Sequence, residues 1–226
     1  MIVDRVRDQR SRLQWVVFLF STPFVFAQSV TVEFETASQY IFRGQELGDL
    51  TFHPSVEFGQ GNLYGGVWAA LPLENDEVWN EEYDFYLGHG WALNGDVSLD
   101  LGGIHYYYPS GGDTTELYLG LAGDIQSIAT SFYIYNDLDL DTWTGEARGS
   151  YAFPFFDKVM ELGAYAGAVQ GGGSEDYLYY GLDAEVIFEI NSKLSFLVGG
   201  HLADNDLGGS IGDSRFFGTL TLTAGW

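Results

Sequence analysis

Carboxylates keep to one side of an alternating pattern in this chain, beginning with VTVEFE at residues 30–35, where Glu33 and Glu35 stand between apolar neighbours. The same parity collects Glu57, Asp84, Asp100, Glu116, Glu146, Asp183, Glu185 and Glu189, with Arg43 and Arg148 as the chief cations among them. Side chains two residues apart lie on the same side of a strand. These acids would therefore gather on one surface, concentrating cations and repelling anions, most strongly where low-dielectric walls confine the field. The alternative is structural: the same acids bonded to tyrosines and arginines inside a plugged interior, with Arg43 facing Glu33, Glu35 or Glu57.

Other chemistry is thinly represented. His53 and His201 share the polar parity and His89 and His105 the apolar one, but no nucleophile motif accompanies any of them, so an enzyme is not expected. Asp137, Asp139 and Asp141 are spaced like the start of a calcium loop, yet Thr142 stands where glycine should follow and Arg148 where the closing glutamate belongs. A solvated acidic loop, able at most to hold divalent ions loosely beside lipopolysaccharide, is the expectation. The chain has no cysteine, which removes thiolate metal sites and disulfides, and no metal or cofactor is expected. A formal net charge of -23, from 9 basic and 32 acidic residues, excludes nucleic acid as a partner and leaves small solutes or cations.

The elements that must position these acids are strands. Alternating segments cover approximately 30–44, 51–58, 63–71, 81–91, 96–108, 115–123, 128–135, 142–153, 159–169, 177–190, 194–203 and 216–226. Faces are ambiguous at 63–71 and 128–135. Tight connections at 59–62, 93–96, 123–127, 153–158 and 191–192 alternate with longer, mostly acidic ones such as PLENDEVWNE and DNDLGGSIGDS. Short turns at one end and long loops at the other predict an all-β, antiparallel, up-and-down transmembrane barrel of about twelve strands. A soluble barrel shares the alternation, but twelve strands enclose more space than side chains usually fill. Trp68, Trp79, Trp91, Trp143, Tyr151, Phe153 and Trp226 sit near strand ends, as interfacial girdles do.

Both chain ends agree with this reading. Residues 1–27 carry Arg5, Arg7, Arg10 and Arg12, then a short apolar run ending at Ala27, which reads as a secretory signal peptide ahead of a barrel domain at 28–226. The last strand presents Phe216, Leu220, Leu222 and Trp226 on one face. A greasy edge of this kind must pair to avoid aggregation, and closure onto the first strand supplies the partner. Its final aromatic is similar to the signal by which outer-membrane assembly machinery recognises barrels.

SQYIFRG, with Tyr40, Phe42, Arg43 and Gly44, resembles the end of the first strand in the TorF family of porins. NLYGGVWAA, EEYDFYLGHGWAL and LDLGGIHYYYPSG, which contains Tyr106, Tyr107, Tyr108 and Pro109, follow in the family's order. The resemblance covers most of the chain after residue 27 and implies a bacterial outer-membrane porin surrounded by lipid and lipopolysaccharide. The residues themselves predict a cation-preferring diffusion channel, with a non-conducting structural barrel as the alternative. Tyr106 to Pro109 reads as an interfacial girdle more readily than as a sugar-stacking slide.

Overall fold

A computed structural model describes residues 28–74, 81–95, 97–173, 175–207 and 214–226. The signal-peptide reading, Trp79 and the acids at 76 and 77 lie outside them. The strands are β1 (Gln28–Ala37), β2 (Tyr40–Phe42), β3 (Gln45–Gly48), β4 (Thr51–Gln60), β5 (Leu63–Pro72), β6 (Glu82–Asn94) and β7 (Val97–Tyr107). They continue as β8 (Thr114–Ile125), β9 (Ile128–Asp137), β10 (Thr142–Phe155), β11 (Lys158–Gly171), β12 (Tyr177–Asn191), β13 (Leu194–Asn205) and β14 (Arg215–Gly225). Among the described residues, β1 and β4 to β14 form a closed twelve-stranded antiparallel barrel in sequence order, while β2 and β3 pair only with each other.

Closure is complete at the seam. β1 pairs with β14 from Thr31 opposite Gly225 to Ala37 opposite Thr219. Val30 and Trp226 exchange two backbone hydrogen bonds of 3.0 Å. The terminal strand thus has no free edge, and its alternation sorts as the sequence predicts. Phe216 is 74% exposed and Trp226 61% on the outside, while Thr219 and Thr221 are buried within. Phe34, Leu87, Leu119, Phe132, Leu182 and Leu220 continue that exposed apolar surface around the wall. A large apolar side chain left in water forgoes about 1.5–3 kcal/mol, so a belt of them suits hydrocarbon and the barrel spans a membrane.

One strand differs from expectation. The alternation at 30–44 does not continue along the wall, because the chain leaves it after Ala37 and turns inward as the β2–β3 hairpin. Phe42 pairs with Gln45 across a two-residue turn in which Arg43 and Gly44 have φ of 50° and 74°. Positive φ at both central positions is the hairpin geometry that strand twist favours. A Cβ on Gly44 would lie 2.7 Å from the Asp204 carbonyl oxygen and 2.8 Å from Tyr179 Cβ, so glycine meets both the turn and the close approach. Tyr40 and Phe42 are therefore interior residues rather than part of the lipid face.

Candidate functional site

The hairpin crosses the lumen near the long-loop end and is fastened to several parts of the wall. Tyr40 Oη donates to Glu82 Oε2 at 3.0 Å, and Tyr108 Oη donates to its other oxygen at 2.9 Å. Arg43 donates through both terminal nitrogens to Glu116, at 2.7 and 2.9 Å, while Tyr106 Oη donates to the same carboxylate at 2.8 Å. Farther round, Asn205 Nδ2 donates to the Gly44 carbonyl at 2.6 Å and Arg215 Nε to Glu46 at 2.6 Å. Burial, and next the charge of Glu82, push the Tyr40 phenol well above its ordinary pKa, which keeps it a donor. Burial opposes the Arg43 charge, but hydrogen bonding and attraction from Glu116 more than offset this and hold the guanidinium above its ordinary range.

On the β5–β9 side tyrosines reach into the lumen and bond to acids. Tyr64 Oη lies 2.9 Å from both Asp100 oxygens and 2.5 Å from Tyr118 Oη, Tyr133 Oη donates to Asp100 at 3.1 Å, and Tyr86 Oη donates to Glu57 at 3.1 Å. Glycines on neighbouring strands make room for these rings. A Cβ on Gly102 would collide with the Tyr118 ring, and one on Gly120 with the Tyr133 ring.

The side formed by β10 to β14 and β1 is organised differently. Arg148 pairs with Asp183, His201 Nδ1 lies 2.8 Å from the same carboxylate, and His201 Nε2 lies 2.9 Å from Thr219 Oγ1. Glu35 bonds His53 Nδ1 at 3.0 Å and accepts from Thr221 at 3.0 Å. Thr223 donates to Glu33 at 3.1 Å, and Tyr179 donates to Glu146 at 2.8 Å. Some of these groups and the hairpin tip border a cavity of about 330 Å³ whose lining includes Glu35, Arg43, Glu146, Arg148, Asp183 and His201.

The acids grouped by parity are thus brought to the inner face of the wall, some of them beside another acid on the same or the next strand. Asp84 lies beside Glu82, and Glu185 on β12 faces Glu161 of β11 in register. Glu189 is exposed at the short-turn end, away from the hairpin. Arg43 pairs with Glu116, not with Glu33, Glu35 or Glu57. Glu82 and Glu161, not singled out in the sequence, belong to the same face and their parity was available to show it.

Several aromatic readings change. Trp68 is not a girdle residue, because its ring lies 5.7 Å from Tyr40 and 4.9 Å from His53 inside the barrel. Tyr106 and Tyr108 likewise face inward onto acids, and among the YYYP tyrosines Tyr107, beside Tyr83, faces out. Trp91, Trp143 and Tyr151 are exposed on the outer surface. Asp137 is buried, and its Oδ1 accepts from the backbone amides of Asp139 and Leu140 at 2.9 and 2.8 Å, so this oxygen caps the loop. Among the described residues, no group of three or more His, Asp or Glu is placed to hold a metal ion.

A family described as "Bacterial protein of unknown function (Gcw_chp)" matches residues 21–207. The chain belongs to the Gcw_chp family. No curated protein matches the Gcw_chp chain by sequence. Its fold is similar to the KdgM porin, with a TM-score of 0.59 at 8% identity over 86% of this chain and 98% of that one. The structure titled "KdgM porin in complex with disordered oligogalacturonate" gives 0.60 at 8% identity, over 87% and 98%. The NanC porin gives 0.52 at 9% identity, over 87% and 98%. The architecture is therefore that of outer-membrane porin barrels. With the apolar outer belt, it makes this Gcw_chp protein a barrel of the bacterial outer membrane.

Proposed function

We propose that this Gcw_chp protein is a narrow channel through which small solutes diffuse passively, with a preference for cations. The observation that carries the reading is the cavity beside the hairpin, where acids outnumber available cations. Arg43 is paired with Glu116 and Arg148 with Asp183. Of the acids lining it, Glu35 and Glu146 are instead held by a threonine, an imidazole and a phenol. Hydroxyls orient a carboxylate without cancelling its charge, so a cation in this passage meets an attractive field focused by the apolar wall. The predicted pore-lining set, Glu33, Glu35, Arg43, Glu57, Asp84, Asp100, Glu116, Glu146, Arg148, Asp183, Glu185 and Glu189, contributes unequally on this reading. On this reading the passage runs by Glu33, Glu35, Glu146, Arg148, Asp183 and Glu185, while Glu116 braces the hairpin and Asp100 and Glu57 hold the tyrosines of β5 to β9.

The finer kinship with TorF porins, export with cleavage after Ala27, and assembly through Phe216, Leu220, Leu222 and Trp226 belong to the same proposal. So does contact of the acidic loops with lipopolysaccharide. Support comes from the motif around Arg43 and Gly44, the basic then apolar leader, and the exposed aromatic terminus of β14. The test is reversal potential across a planar bilayer under a potassium chloride gradient: cation-selective current is expected, and anion-selective current overturns the preference. A non-conducting barrel is favoured by one observation, the fastening of the hairpin to opposite walls. Absence of current from correctly folded protein would select it.

A further inference from the structure

We infer that the lumen wall carries a guanidinium-binding site, formed by Glu116, Tyr106 and Tyr135, which Arg43 of the hairpin fills as a tethered ligand and which a free guanidinium-bearing solute can take over. The recognition is specific in shape. Glu116 receives the two parallel hydrogen bonds of 2.7 and 2.9 Å that a planar fork makes and that an ammonium or alkali ion cannot reproduce. The Arg43 carbon lies 5.0 Å from the centre of the Tyr135 ring, while the Tyr106 hydroxyl donates to Oε2 of the same carboxylate. The seat is nearly sealed, with the side chains of Arg43 and Glu116 only 13% and 2% exposed.

That sealing couples the hairpin to the arrival of a substitute. A buried carboxylate that loses its cation is strongly destabilised, so Arg43 leaves readily only when another cation of the same shape replaces it. Among the other fastenings, Tyr40 gives Glu82 a single hydrogen bond, the Gly44 carbonyl accepts a neutral amide and the Arg215–Glu46 pair is partly exposed. Arg43 and Tyr135 also border the cavity beside the hairpin, which gives a solute a route to the seat. Tethering raises the local concentration of the built-in ligand, so a free competitor must exceed roughly millimolar levels in the native protein and less once Arg43 is removed. The binding site stands without conduction. Its consequence, exchange of guanidinium solutes for Arg43 during passage, rests on the channel reading.

The test is thermal unfolding of the full barrel in detergent, with millimolar guanidinium chloride compared against sodium chloride at equal ionic strength. Arg43→Ala is expected to melt about 10 °C lower than the native protein, guanidinium to recover much of that loss, and sodium to recover none. Combining Arg43→Ala with Glu116→Gln should abolish the response. Arg43→Lys, which keeps charge without the fork, guards against a folding failure and should also be stabilised by guanidinium. Equal effects of the two salts, or an undiminished response in the double variant, overturns the site. Bilayer currents from the same proteins separate the two readings: a melting response without current keeps the site and removes the channel, and current without a melting response does the reverse.

Discussion

The two halves of the lumen use similar side chains to opposite ends. On the β5–β9 side, phenols converge on Asp100 and Glu57, and glycines on adjacent strands let the rings lie flat against the wall. On the side of β10 to β14 and β1, acids are held by threonine, histidine, arginine or a single tyrosine, Asp183 and Glu35 by two partners each, and a cavity lies beside the hairpin. Glycine stands beside tyrosine across the strands on both sides, at Gly102–Tyr118 and Gly120–Tyr133 on one and at Gly167–Tyr179 and Gly181–Tyr165 on the other, so the difference lies in what holds the acids: phenols on the first side, and threonine, histidine and arginine besides one phenol on the second. The hairpin marks the boundary, with Arg43 as its pin.

The contrast can be broken at several points. Glu116→Gln leaves the Arg43 guanidinium buried without a counter-ion and should cost about 3–5 kcal/mol in urea unfolding, with conductance rising as the hairpin detaches. Gly102→Ala drives a methyl into the Tyr118 ring and the Leu87 carbonyl and should cost about 1–3 kcal/mol. The same change at Gly145, where nothing lies within 4 Å of the added carbon, should stay within about 0.5 kcal/mol. Tyr133→Phe removes one donor from Asp100 and should cost about 1 kcal/mol while leaving ion selectivity unchanged. Smallest in stability is Glu146→Gln, which lines the cavity: it should move the reversal potential toward anions with little change in unfolding. Selectivity responding to Tyr133→Phe but not to Glu146→Gln would place the passage in the wrong half.

The wall was legible because lipid and lumen demand opposite chemistry from alternate residues. Leu117, Leu119 and Leu121 could face only outward once Glu116 faced in, and Trp226 needed a partner strand. The tight turns were legible from glycine and asparagine, as in GQGN before β5. The hairpin was hidden because Tyr40 and Phe42 keep the parity of Val30, Val32 and Phe34, so period alone reads one long strand. The distinguishing signal was Arg43-Gly44, a pair that takes the positive φ of a two-residue turn. Inward tyrosines were harder to see. β5 and β9 alternate tyrosine or glycine with other apolar residues, and a phenol bonded to a carboxylate looks apolar until its partner on another strand is known.

The central claim is that the hairpin narrows an acid-lined passage through the barrel. Ala37 and Thr51 are paired neighbours on β1 and β4, so residues 38–50 can be replaced by Asn-Gly, which closes a two-residue turn without disturbing the wall. Single-channel conductance of this variant, set beside the native protein, should rise several-fold while the current remains cation-selective. Equal conductance in the two proteins would contradict the claim.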